Sequence, residues 1–412
     1  MIRYRAAWVV PIAAPPLRDG WVDVDRGRIV AVGHDRTQAV HQEDLGAVVL
    51  MPGLVNTHTH LELSYLRQQI PPSDAFVTWV RGVMAARRSL PDAQAAEVLD
   101  AVRTGIREAV QSGTALVGDI SNTLVTHAPL VESPLSAVLF YELIRFNTPD
   151  AAGFVADACA RIDALEGSKH VRASLAAHAP YSVAPSVFRE IRAAMEPRTH
   201  LPWSVHLAES RDETEFIGSG GGEWRTFLEQ VGSWDPAWTA PGVSPVQYLD
   251  DAGFLNRRSV VVHGVQMSRE DLARLSARGA TLVTCPRSNA FTGAGTPPIA
   301  SFYASGVPVA VGTDSLASTP DLNVFAELAA MRSLAPAVPA SQLLESATLQ
   351  GARALGFHAE FGSIEAGKRA RLLAVTIPAT VSDVEEYLVS GIEPGHLSWV
   401  GESADASRVG DS

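Results

Sequence analysis

The chain has 412 residues, 46% of them hydrophobic and 19% charged, with 32 Gly and 26 Pro dispersed along it, which allows one large core plus a satellite and leaves no long tract of disordered composition. A formal net charge of -12 repels phosphate backbones and anionic membranes and argues against nucleic acid as a partner. Cys159 and Cys285 are the two cysteines, with no CxxC between them, which argues against a disulfide framework and against a thiolate metal cluster.

The opening MIRYRAAWVVPIAAPPLRDG carries arginines and an apolar patch broken by Pro11, Pro15 and Pro16. It reads as neither a secretory signal nor a membrane span, so the cytoplasm is the expected compartment and no membrane association is expected. DGWVDVDRGRIVAVG then alternates in the manner of an exposed hairpin, with its turn at Asp25 to Gly27. The run VVLMPGLVNTHTH reads as one apolar strand. Its closing histidines, His58 and His60, are two residues apart, so they share a face at a spacing that lets both imidazoles reach one metal ion.

Seven more strands follow: TALVGDI from Thr114, SAVLFYEL from Ser136, VRASLAAH from Val171, PWSVHLAE from Pro202, RSVVVHG from Arg258, TLVTCP from Thr281 and VPVAVGTD from Val307. Amphipathic stretches such as DAQAAEVLDAVRTGIREAVQSG and SREDLARLSARG lie between them, giving the βα alternation of a parallel barrel. An open doubly wound sheet produces the same alternation, but no GxGxxG loop favours it. After a helical segment near 341 to 356, FGSIEAGKRARLLAV reads as turn, charged edge and a buried strand ending at Val375, which can pair with the N-terminal strands.

In a parallel barrel His58, His60, His178, His206, His263 and Asp314 all fall at carboxyl ends of strands, where barrel sites are assembled. Nitrogen and oxygen donors without thiolates suit one divalent ion, zinc first, with iron, nickel and manganese open by ligand type. His34, His41, His127, His170, His200, His358 and His396 read as surface or satisfied core residues.

NTHTHLE, HAPYS, HLAE, VVHG, CPRSN and GTDS occur in this order, and the chain so resembles, over nearly its whole length, metal-dependent deaminases of the amidohydrolase superfamily. That branch contains adenosine-like, guanine and chlorotriazine hydrolases. The resemblance implies a distorted (β/α)8 TIM barrel over residues 51–356, with residues 1–50 and 357–412 forming a small composite β-sandwich domain. It implies a metal held by His58, His60, His206 and Asp314, with His263 orienting water, Glu209 shuttling a proton and His178 touching substrate. Homodimers are common in the family. In such chemistry a divalent ion lowers the pKa of its water to about 7. Asp314 takes a proton as that water attacks an amidine-like carbon, and Glu209 protonates the neighbouring ring nitrogen and then the departing amine. Glu62, just past the HTHL run, reads equally well as a helix-start or packing residue.

Members acting on thioether nucleosides place a glutamate after the first strand to hold ribose hydroxyls. Here DAFVTWVRGVMAARRSL offers Phe76, Trp79, Arg81, Arg87 and Arg88 and no glutamate, and YELIRF adds Arg145. A solvated helical face accounts for such arginines singly, whereas together they suit a substrate carboxylate beside an aromatic surface. The segment resembles that of bacterial deaminases that convert 6-aminodeoxyfutalosine, an adenine nucleoside bearing a carboxyphenyl ketone, to futalosine in menaquinone biosynthesis. The expected substrate is therefore this small purine nucleoside. Deamination of methylthioadenosine, S-adenosylhomocysteine, guanine or 8-oxoguanine, or hydrolysis of a triazine, would use the same metal machinery. A noncatalytic metal-binding protein is disfavoured because Glu209 and His263 are both present. Arg287 and Phe291 are further candidates for shaping the pocket, and GSGGGEWRTFLEQVGSWDPAWTAPG reads as a mobile loop whose Trp224, Trp234 and Trp238 could cover it.

Overall fold

A computed structural model describes residues 1–35 and 41–401. Eight parallel strands form the central sheet: β1 (Leu54–Thr59), β2 (Thr114–Ser121), β3 (Ser136–Leu143), β4 (Val171–Ala177), β5 (Trp203–Leu207), β6 (Ser259–His263), β7 (Thr281–Thr284) and β8 (Val309–Val311). Each pairs with its sequence neighbour, and helices fill the connections. The sheet curls into a distorted, nearly closed TIM-like barrel. Because all strands run the same way, their carboxyl ends share one face, and widely separated residues meet there.

The seam between β8 and β1 is closed by a few specific bonds instead of a regular ladder. Asp314 N donates to the His58 carbonyl at 3.1 Å. The buried Asn56 side chain accepts from Thr313 N at 3.0 Å and donates to Thr313 Oγ1 at 2.7 Å. Gly312 permits this approach, since a Cβ there would lie 2.7 Å from the His58 carbonyl oxygen and 2.9 Å from its nitrogen. Both neighbours are backbone atoms and cannot swing aside. We expect Gly312→Ala to destabilise the fold by about 1–3 kcal/mol and to lower activity by displacing His58, measured as a lower Tm together with a lower kcat/KM.

One sequence expectation changes here. VVLMPGLVNTHTH is two strands in two sheets, Val48–Pro52 and β1, with the chain turning at Gly53. A Cβ on Gly53 would stand 2.6 Å from Ala115 Cβ and 2.8 Å from the Trp399 ring. Both strands are buried, so the apolar run continues across the break and periodicity does not reveal it.

The chain ends do pair. Val48–Pro52 lies antiparallel to Leu372–Thr376, which pairs with Leu397–Trp399, while Trp8–Val9 and Leu17–Arg18 complete that sheet. A second sheet joins Ile2–Arg5, Trp21–Asp25, Arg28–Gly33 and Gln42–Asp44. Its expected hairpin turn has Arg26 and Gly27 at φ 48 and 74, the two left-handed positions a tight hairpin of this kind needs. Tyr4, Val22, Ile29, Leu50 and Leu372 pack between the sheets as a separate small core. Residues 402–412 of the expected C-terminal segment lie outside the described residues. Among the described residues no helix is long and apolar enough to cross a membrane.

Candidate active site

The carboxyl face of the barrel carries a cluster of imidazoles around one carboxylate. The His58 ring centroid lies 4.9 Å from those of His60 and His206 and 5.7 Å from that of His263. Asp314 Oδ1 stands 3.4 Å from His60 Nε2 and 3.6 Å from His58 Nε2, while Ser288 Oγ donates to Oδ2 at 2.6 Å. His263 and Asp314 have φ of 77 and 62, and Ala208, between His206 and Glu209, has φ of 52. Left-handed backbone at non-glycine residues costs energy and clusters where a side chain must be aimed. On β6, Val260 and Val262 pack in the barrel interior and Val261 against the helices. Simple alternation would send His263 outward, and its positive φ turns it into the site.

The residues present fit a divalent ion. His58 is 1% exposed, and neither ring nitrogen has a hydrogen-bond partner among the described residues. Buried imidazole nitrogens without partners are costly unless another group sits among them. Ligand atoms of His58, His60 and Asp314 lie within 4.8 Å of one another, as do those of His58, His206 and His263. His206 Nδ1 lies 2.9 Å from the His178 carbonyl, which keeps the proton on Nδ1 and frees Nε2 for an ion. Asn289 Nδ2 donates to His263 Nδ1 at 3.0 Å, so a neutral His263 carries its proton on Nε2. That nitrogen faces Glu209 Oε1 at 3.4 Å, which suits His263 to donate a hydrogen bond.

Glu209 is 4% exposed. Burial, then the nearby charges of Asp314 and Glu213, hold its carboxyl well above the usual carboxylate range, which favours its protonated form. The backbone that presents it is pinned by the fully buried Glu213, which accepts from Ala208 N at 2.9 Å and Glu209 N at 2.8 Å. His178 shares a 2.6 Å hydrogen bond with Ser182 Oγ. Burial, with Arg87 nearby, lowers His178 to about 4 and leaves it neutral near pH 7.

A cavity of about 950 Å³ opens above this floor. It is lined by Glu209, His263, His178 and Asp314 below and by Phe76, Trp79, Arg87, Arg88 and Arg145 farther out. Helix α1 (Phe76–Ser89) supplies Phe76, Trp79 and the two adjacent arginines, while Arg145 follows β3. The structure separates the arginines. Arg87 is committed to Glu62 Oε1 at 3.0 Å and Asn122 Oδ1 at 2.8 Å. Arg145 lies over the Phe154 ring at 4.8 Å, and Arg88 is exposed with no partner among the described residues.

Two outer residues named from the sequence lie elsewhere. Arg287 is absent from the cavity lining and instead binds Glu327 Oε1 at 2.7 Å and Asp321 Oδ1 at 2.9 Å. Glu327 is fully buried and requires that cation. Phe291 does not line the cavity either. The glycine-rich segment 218–242 expected as a mobile loop contains a helix, Gly222–Gln230, directly after the helix Arg211–Ser219, and its remaining part to residue 242 has no helix or strand. Trp224 stacks on Tyr181 at 3.7 Å and lines the cavity, while Trp234 and Trp238 pack on Phe146 beside it.

Glu62 is a structural hub. Its Oε2 accepts from Ser121 Oγ at 2.6 Å, Thr123 Oγ1 at 2.8 Å and Asn122 N at 3.0 Å, while Oε1 holds Arg87. Glu62→Ala strands these donors at 4% residue exposure. We expect it to destabilise the fold by about 2–4 kcal/mol, less than loss of a wholly buried ion pair because Arg87 reaches solvent. Denaturant unfolding at constant m-value checks this.

Glu213, Asn289, Ser288, Asn122 and Glu142 escaped the sequence reading. Ser288 and Asn289 lie in the CPRSN motif, and Glu213 had a local signal, an acidic side chain four residues past Glu209 behind a serine N-cap.

The profile of the amidohydrolase family matches residues 49–392. The aminodeoxyfutalosine deaminase of Deinococcus radiodurans is 34% identical over 364 residues, covering 83% of this chain and 82% of that protein. The adenosine deaminase from Xanthomonas campestris, solved with bound zinc, superposes with a TM-score of 0.81 at 28% identity over 96% of this chain and 90% of that one. Helicobacter pylori aminofutalosine deaminase in complex with methylthio-coformycin gives a TM-score of 0.83 at 25% identity, covering 97% of this chain and 100% of that one.

Proposed function

The chain belongs to the amidohydrolase family, and from that premise we propose that it hydrolyses the adenine amino group of 6-aminodeoxyfutalosine, giving futalosine and ammonia for menaquinone biosynthesis in the cytoplasm. One observation carries the reading. A single cavity has the His/Asp cluster and the buried Glu209 carboxyl at its floor, aromatic side chains on its wall and two guanidinium groups toward its rim. The relatives named aminodeoxyfutalosine and aminofutalosine deaminase support it.

His58, His60, His206 and Asp314 would hold one divalent ion, for which zinc suits the donor set. When bound, that ion activates water for attack near neutral pH. Asp314 accepts a proton from the attacking water, with Ser288 fixing its other oxygen. Glu209 protonates the ring nitrogen beside the attacked carbon, making the ring more electrophilic. It then takes the proton of the added hydroxyl as that oxygen becomes the ring carbonyl and passes it to the exocyclic amine, which leaves as ammonia, and the proton held by Asp314 restores Glu209 for the next turnover. His263 donates from Nε2 to the oxygen on which negative charge develops. His178 contacts the purine ring from the end of β4.

At the outer end, Arg88 and Arg145 take the substrate carboxylate, and Arg87 braces the wall between them and the floor. Phe76 and Trp79, stacked with centroids 6.2 Å apart, supply apolar surface along the cavity. The test is product analysis with metal-replete enzyme and 6-aminodeoxyfutalosine. Equimolar ammonia and a hypoxanthine-type product are expected. No ammonia from this compound, with release from a purine lacking the carboxyphenyl group, would overturn the assignment.

A further inference from the structure

Glu142, the penultimate residue of β3, has its side chain 2% exposed, yet it lines the cavity. Its Oε2 accepts from Asn122 Nδ2 at 2.8 Å, and Asn122 is itself held by Arg87. Its Oε1 is buried and has no hydrogen-bond partner among the described residues. His206 Nδ1 lies 3.5 Å away, but that N–H is directed to the His178 carbonyl at 2.9 Å. A buried carboxylate oxygen without a donor is costly, so this one is suited to a donor that arrives with the ligand.

The donors of an adenine nucleoside are few. Its ring nitrogens N1, N3 and N7 are acceptors, leaving the exocyclic amine and the sugar hydroxyls. The amine must lie on the floor beside Glu209 for the reaction to occur, so the hydroxyls remain for Glu142. Its place along β3 agrees. Arg145 lies three residues farther on, in an isolated parallel bridge with Val183, and three residues of extended chain span roughly 10 Å. Base, sugar and carboxylate would thus meet Glu209, Glu142 and Arg145 in order from floor to rim.

We propose that Glu142, braced by Asn122, reads the sugar hydroxyls and gives this site its preference for ribonucleosides over their deoxy counterparts. The inference rests on the nucleoside reading above. The test compares kcat/KM for 6-aminodeoxyfutalosine and its 2′,3′-dideoxy analogue in metal-replete wild type, Glu142→Gln and Glu142→Ala, with metal content measured on each. Wild type is expected to favour the hydroxylated substrate by a factor on the order of 10 to 100. In the variants that ratio should collapse toward unity with metal content equal to wild type. The proposal is overturned if wild type ignores the hydroxyls, or if the variants slow both substrates equally or lose metal, which would make Glu142 a support for His206. Failure of wild type to deaminate either nucleoside is a separate result, which removes the nucleoside reading itself.

Discussion

Glu209→Gln is expected to lower kcat by about 10²- to 10⁴-fold, the span that a positioned general acid and base contributes, while the protein keeps its metal and its fold. The side chain faces the His263 imidazole at 3.4 Å and takes no part in the His58, His60 and Asp314 cluster. Glutamine preserves its volume, and the Glu213 carboxylate still pins the backbone beneath it. What is lost is a group that can give and take a proton, whose protonated form burial favours. Two steps need it, activation of the ring nitrogen and departure of ammonia. A 6-chloro analogue separates them, because chloride leaves without a proton. The variant should therefore lose less on the chloro substrate than on the amine. Pre-steady-state kinetics with metal analysis checks the claim, and equal losses on both substrates would remove Glu209 from the leaving-group step.

Neutralising the outer cations should act on binding and leave the chemistry alone. In an Arg88→Gln, Arg145→Gln double variant, kcat/KM for the carboxylated nucleoside is expected to fall about 10- to 100-fold, a charge-assisted hydrogen-bond effect carried mainly by KM. Methylthioadenosine, which has no carboxylate, should be little affected. Both residues are exposed, so the wild-type advantage should shrink as salt rises. Arg87→Gln is different in kind, because Arg87 is bound to Glu62 and Asn122 and its loss should lower stability as well. A parallel fall for both substrates in the double variant would mean that these arginines shape the pocket without reading charge.

Much of this was legible in the sequence because the decisive signals were local or followed from parallel topology. Asp25 to Gly27 forms the expected turn, and β2 through β8 fall on the apolar runs that announced them. Once the strands are parallel, residues at their ends must converge, so His58, His60, His206, His263 and Asp314 could be grouped without knowing any contact. The parts that were hidden depend on what lies across a seam. Gly53 breaks a run that stays apolar on both sides. His263 faces inward through a left-handed backbone that no alternation predicts. Asn289, Ser288, Asn122 and Glu142 matter through partners on other elements, and Arg287 was misplaced because its binder, Glu327, lies forty residues away. In the aromatic segment after β5 the flanking glycines give the sequence a loop-like character that hides the helix Gly222–Gln230.

The most direct test of the substrate assignment is a comparison of kcat/KM for ammonia release by metal-replete enzyme from 6-aminodeoxyfutalosine, methylthioadenosine, S-adenosylhomocysteine, adenosine, guanine and 8-oxoguanine. The geometry of floor, wall and rim predicts a clear preference for the carboxyphenyl nucleoside. Equal or faster turnover of methylthioadenosine or guanine would leave the metal-dependent deamination standing and contradict the role given to Arg88 and Arg145.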